Sequence, residues 1–144
     1  DEAAFRAVDL DLVLACGKAA KAAGIEHMIV VSSVGADPLA KNFYLKTKGQ
    51  MEEALTRLRL RRLDIVRPGL LRGPRPGDLR PLERIAGWLA PLIDLFLTGE
   101  RRRYRSIRAE VLADAVFALA KEKAGGHFVH EHDGLLRAIR RAGG

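Results

Sequence analysis

The sequence predicts an α/β fold, a doubly wound parallel sheet of which this 144-residue chain carries one portion. Two observations predict it. Short apolar runs with β-branched residues, at 28–31 and 63–66, alternate in quick succession with stretches of helical periodicity. The composition, 48% apolar and 30% charged, is that of an ordinary globular domain and not of a disordered segment.

The elements follow in order. From about 5 to 23, Phe5, Val8, Leu12, Ala15 or Cys16, Ala19 and Ala23 recur at helical spacing, which predicts a helix with that face inward. Cys16, amid alanines, reads as a small core residue. Gly24 supplies the stop. The run 28–31 fits a parallel strand covered on both faces. A loop with Gly35, Asp37 and Pro38 precedes a helix at about 43–58, and 63–66 makes a second strand before Pro68 and Gly69. Gly73, Pro74, Pro76 and Gly77 mark a loop over 70–80. Helices are expected at about 82–97 and 108–123, a short strand at 127–130 and a closing helix at 135–141. Two such strands make no stable sheet alone, and Asp1 is not an initiator methionine. The whole of 1–144 is therefore expected to be the C-terminal portion of one domain, with substrate-side helices from about 70 onward.

Charge and cysteine usage narrow the partners. The net charge of +7 comes mostly from arginine, clustered at 57–62 and 101–108. No aromatic residue interleaves the first cluster and only Tyr104 the second, so nucleic acid is not an expected partner. No apolar run reaches the ~20 residues of a membrane span, the longest candidate being broken by Pro91 and Asp94. A single cysteine excludes an internal disulfide and suits a reducing compartment, so a cytoplasmic location is expected. His127, His130 and His132 do not make a metal site on this reading, because His127 faces away from the others on a strand; they read as surface histidines. Trp88, Leu89, Leu92, Leu95 and Phe96 form an apolar stripe that core packing or the interface of a homo-oligomer would explain.

The second helix carries the chemistry. Tyr44, Lys48, Met51, Leu55 and Leu58 share one helical face. An ammonium four residues after a phenol lies beside it and favours the phenolate, which is how a tyrosine becomes a usable proton donor or acceptor. Gly49 costs ~1 kcal/mol in a helix interior, a cost that makes sense where something approaches the backbone closely. The first strand ends in Ser32 and Ser33, and ligands of open α/β sheets sit at the carboxyl ends of strands. A buried tyrosine with a lysine running to the surface would give the same Tyr-x-x-x-Lys spacing; the serine pair and the strand–helix–strand context argue for the chemical reading.

These motifs resemble the short-chain dehydrogenase/reductase superfamily. Residues 29–35 (IVVSSVG) are similar to its serine strand and residues 44–49 (YLKTKG) to its catalytic helix. Residues 64–74 (DIVRPGLLRGP) are similar to the nicotinamide-flanking strand and loop of the extended and atypical branches. The atypical branch of bacterial NAD(P)H-binding proteins related to the Tat-interacting oxidoreductase is the most similar, through Ser32–Asp37 and Phe5–Asp9. The resemblance covers about 5–120 and implies a Rossmann-like fold. It implies Tyr44 as general acid/base, Lys48 as its partner and the ligand of the nicotinamide ribose, and Ser33 or Ser32 as the residue orienting a substrate carbonyl. Pro68, Gly69 and Leu70 would border the nicotinamide. Two departures stand out. No glycine-rich phosphate turn is present, so the pyrophosphate site is expected upstream, and Asp9 stands where many members carry Asn. The implied function is NAD- or NADP-dependent hydride transfer to or from a small-molecule carbonyl or alcohol. The alternative is a non-catalytic NAD(P)-binding, redox-responsive interaction protein.

Overall fold

The structure, a computed structural model, describes residues 1–69, 71–72 and 99–144. The described chain falls into two compact units, one of 1–67 and 122–129, the other of 68–121 and 130–144. The fold is α/β, consistent with part of a Rossmann-like domain.

The first unit opens with one long helical stretch in three pieces. α1 (Glu2–Arg6) is capped by Asp1, whose side chain accepts from the Ala3 amide at 3.0 Å. A π-helical segment (Ala7–Leu12) leads into α2 (Val13–Ala22). The wider π turn changes which residues face inward. Leu10 and Gly17 are buried and Phe5, Asp9, Val13 and Leu14 half-buried, whereas Val8, Leu12, Cys16 and Ala19 are exposed. The expected inward face is thus corrected: constant 3.6-residue periodicity puts Val8 and Leu12 inside, but the π turn advances the inward stripe by about one residue. Cys16 is not a core residue for the same reason. Gly17 lets α2 lie close on the next helix, since a Cβ there would sit 2.8 Å from Leu55 Cδ2 and from Leu58 Cδ1.

β1 (His27–Val31) pairs in parallel with β2 (Arg62–Val66), His27 opposite Arg62 and Val31 opposite Val66. Between them runs α3 (Phe43–Thr56). With β5 (Gly126–His130) the sheet has the order β1-β2-β5. Every residue of the central β2 is buried, as a strand covered on both faces requires. Among the described strands β1 is the outer one, with Val30 buried, His27 to Ile29 half-buried and Val31 exposed. Leu10, Val30, Met51, Leu55, Leu63 and Ile65 form the core beneath it.

In the second unit, β3 (Leu71–Arg72) pairs in parallel with β4 (Ile107–Arg108), a short ladder that sequence periodicity did not predict. A 3-10 turn (Gly99–Tyr104) precedes β4, and α4 (Ala109–Ala120) packs on α5 (His132–Gly143), with Leu112, Ala115, Leu119, Leu135 and Ala138 buried. His130 is buried, so it is not the surface histidine expected. The expected loop at 70–80, apart from Leu71 and Arg72, and the expected helix at 82–97 with its Trp88 stripe lie outside the described residues. Among the described residues, no helix is long and apolar enough to cross a membrane.

Candidate functional site

The site is built where β1 hands over to α3. Ser32 continues the ladder, its amide donating to the Val66 carbonyl at 2.7 Å. Its side chain is buried, and Ser32 Oγ has no hydrogen-bond partner among the described residues. Ser33 is half-buried and its hydroxyl donates locally to the Val34 carbonyl at 3.2 Å. The chain then turns through Gly35 at φ 84°, a conformation that favours glycine. Asp37 fixes the loop from both sides: its amide donates to the Leu45 carbonyl at 3.2 Å, and its Oδ1 accepts from the Leu39 amide at 2.8 Å.

Gly49 explains how the loop comes so close. A Cβ at that position would overlap the Asp37 carbonyl carbon and the Pro38 nitrogen. The close approach that the sequence suggested is therefore made by the serine loop itself.

α3 begins at Asn42, whose side-chain oxygen accepts from the Leu45 amide at 3.0 Å. Tyr44 consequently stands in the first turn, where orphan backbone amides favour negative charge. Its side chain is 45% exposed and packs on Phe5, with ring centroids 5.3 Å apart. Lys48 Nζ lies 5.7 Å from the Tyr44 ring centroid and 3.7 Å from Asp9 Oδ2. The Lys48 side chain is largely buried, at 12% exposure. Further along the same face Met51 and Leu55 are fully buried. The face is thus continuous, wet and polar at its first turns and dry at its last.

The surrounding charges are tied down. Arg6 Nη1 donates to Gln50 Oε1 at 2.6 Å. Arg67 forms a bidentate pair with the buried Glu52, both bonds 2.7 Å. Phe5 and Asp9 were singled out in the sequence, but not their contacts with Tyr44 and Lys48: the i, i+4 spacing of the first pair mirrors that of the second, so the two helices meet as facing pairs.

Of the residues expected to border a nicotinamide, Pro68 and Gly69 belong to the second unit and Leu70 lies outside the described residues. Pro68 is buried, and Gly69 is pressed against the Tyr104–Arg105 backbone, where a Cβ would sit 2.6 Å from the Arg105 carbonyl oxygen. Among the described residues, no group of three or more histidine, cysteine or acidic side chains could hold a metal ion.

No family model matches the chain. Curated relatives do. The mitochondrial protein FMP52 of Debaryomyces hansenii is 45% identical over 71 residues, 49% of this chain and 31% of that protein. FMP52 of Coccidioides immitis is 38% identical over 94 residues, covering 61% and 38%. HTATIP2 of Rattus norvegicus is 40% identical over 78 residues, covering 51% and 32%. These matches support an atypical short-chain-dehydrogenase-type relationship, in an NAD(P)-binding family, at low identity. The chain matches about a third of the length of these relatives. One expectation is overturned: the fungal relatives are named as mitochondrial proteins, against the cytoplasmic location read from cysteine usage. A lone thiol reports a reducing environment and does not distinguish compartments that share one.

Proposed function

We propose that the chain is the nicotinamide-side portion of an NAD(P)-dependent oxidoreductase of the atypical short-chain type, close to the bacterial relatives of the Tat-interacting oxidoreductase, acting on a small carbonyl or alcohol. The observation that carries this reading is the Tyr44–Lys48 pair: an exposed phenol and a largely buried ammonium share the first turns of α3, at the carboxyl end of β1. The donor set suits the nicotinamide end of such a cofactor. Lys48 presents N–H donors suited to ribose hydroxyls, and the buried Ser32 Oγ is a polar atom with bonding capacity to spare.

When bound, the nicotinamide would supply or accept the hydride. The remaining work falls to this chain. Tyr44 Oη gives its proton to the carbonyl oxygen in reduction and takes one from the hydroxyl in oxidation. Lys48 stabilises the phenolate left behind, as does the α3 N-terminus. Ser33, or Ser32, donates to the same substrate oxygen and orients it. The non-catalytic alternative keeps Lys48 as a cofactor ligand and gives Tyr44 no proton to move.

The test is kinetic and calorimetric, on the intact protein. Tyr44→Phe is expected to abolish reduction while NADH and NADPH affinities stay within a few fold. Lys48→Ala is expected to weaken both turnover and cofactor binding. Full turnover by Tyr44→Phe removes the enzyme reading; unchanged binding by Lys48→Ala removes the ribose contact.

A further inference from the structure

We infer that Leu39 is a specificity-determining residue: it is the apolar wall against which the substituent on the reacting carbonyl or alcohol carbon packs, so the substrate is aliphatic and uncharged on that side. The inference deepens the functional reading of Tyr44 and Ser33 and rests on it, but one arm of its test needs no turnover.

From Ser33 the chain makes two consecutive hydrogen-bonded turns. The Ala36 amide donates to the Ser33 carbonyl at 3.1 Å, and the Ala40 amide to the Asp37 carbonyl at 3.0 Å. Pro38 and Leu39 are the central residues of the second turn. Asp at its first position and Pro at its second are what such a turn favours. Leucine at its third is not, because Gly, Asn, Asp and Ser are the residues with a local reason to sit there. The Leu39 side chain is nevertheless 88% exposed, the most of any large apolar side chain among the described residues.

This turn is held in place. Asp37 Oδ1 accepts from the Leu39 amide at 2.8 Å, and the Asp37 amide donates at 3.2 Å to the carbonyl of Leu45, one residue beyond Tyr44. The Asp37–Pro38 peptide lies on Gly49, one residue beyond Lys48, so closely that a Cβ there would overlap it. Leu45 and Gly49 are displaced from Tyr44 and Lys48 by about 100° around α3, so the turn runs alongside the reactive face. The loop that carries the serines thus keeps a leucine in water at a fixed place beside the phenol. Apolar surface left in water is unfavourable, and a ligand that covers it recovers that free energy.

The charges on the loop point the same way. Between Ser32 and Ala40 the one charged residue is Asp37, whose Oδ1 already serves the Leu39 amide. Val34 and Ala40 are half-buried and Ala36 is buried. A phosphate or carboxylate lying along this stretch would meet alkyl groups and a negative charge. An alkyl chain would meet Leu39.

The experiment uses the intact protein with carbon-13 leucine methyls, the Leu39 signal being assigned by its loss in Leu39→Met. NADPH is present with each alcohol, a pairing in which no hydride can pass. Titration with 1-octanol is expected to move the Leu39 methyls at a concentration about tenfold below that needed with 1-propanol, and 4-hydroxybutyrate is expected to leave them in place. In the second arm, NADPH-dependent reduction of octanal, propanal and succinic semialdehyde is followed. The octanal-to-propanal ratio of kcat/KM is expected to fall about tenfold in Leu39→Ser and to be largely restored in Leu39→Met. Leu39 methyls that 1-octanol does not move overturn the inference. So does a ratio that Leu39→Ser leaves unchanged, or a preference for succinic semialdehyde over octanal. Methyl shifts without reduction of any of these aldehydes would remove the proposed reaction and leave the apolar wall standing. A circular dichroism melt of each variant accompanies both arms, and the exposed position of Leu39 predicts unchanged folding.

Discussion

The two ends of the β1–β2 pair are built to opposite rules. At the amino end, His27, Arg62 and Asp64 form a saturated network. Arg62 Nε and Nη2 donate to Asp64 at 2.8 and 2.9 Å, His27 Nε2 lies 2.7 Å from Asp64 Oδ2, and Arg62 Nη1 donates to the Ala124 carbonyl. The Arg62 guanidinium also stacks on Phe128, 4.3 Å from its ring centroid. At the carboxyl end, a serine hydroxyl is buried without a partner among the described residues, an ion pair is stretched to 3.7 Å, and a tyrosine is half in water. Buried polar groups that are fully bonded hold a fold together, while under-bonded ones keep capacity for something that arrives later.

That contrast can be broken from either end. The largest stability loss is expected from Asp64→Ala, which leaves a buried guanidinium without its carboxylate; removing one partner of such a pair costs about 3–5 kcal/mol, read as a fall in the denaturant midpoint. Gly49→Ala comes next. The added methyl meets backbone and not a pliable side chain, so overpacking of about 1–3 kcal/mol should outweigh the ~1 kcal/mol gained in helix propensity. Because the obstacle is the Asp37–Pro38 peptide, the serine loop should shift as well, visible as altered amide chemical shifts at Ser32 and Ser33. Tyr44→Phe should change stability by less than about 0.5 kcal/mol while removing turnover, the reverse of Asp64→Ala.

The smallest effect is expected in the second unit. Arg102 donates to both Asp133 oxygens at 2.9 and 3.0 Å, and this hydrogen bonding holds the Asp133 carboxyl below its usual value of 3.8 against the opposing effect of burial, with a smaller contribution from the guanidinium charge. A depressed carboxyl stabilises the fold above its unfolded value and loses that contribution as pH falls through the folded one. Arg102→Ala should therefore have its full effect above about pH 4, a shrinking one as the pH falls below that, and should fade in ~1 M salt, where the pair, about two-fifths exposed, is screened. A melt at two pH values and two salt concentrations checks this.

Much of the architecture was legible in the sequence. The apolar runs of β1 and β2 located the sheet, and the spacing of Tyr44, Lys48, Met51 and Leu55 located both the core face of α3 and its reactive end. Gly49 announced a close approach through its cost in a helix interior. What was not legible had physical reasons. No propensity signals a π turn, because it arises from packing against a neighbour and not from any residue type, so the inward face of the first helix was misassigned at Val8, Leu12 and Cys16. The pairing of His27 with Asp64 depends on strand register, which a run of apolar residues does not encode. The β3–β4 ladder is two residues long on each side, too short for periodicity to register.

The π segment has a further consequence, one of phase. A helix that holds an extra residue in one turn fixes the rotation of everything before it relative to everything after it. Deleting Asp11, after Asp9 in the π segment, would restore a regular α-helical count and swing the preceding residues by about 100° around the axis. Phe5 would leave Tyr44 and Asp9 would leave Lys48, while Val13, Leu14 and Gly17 stayed seated on α3. The number of residues in that stretch, more than their identities, is what aligns the two helices.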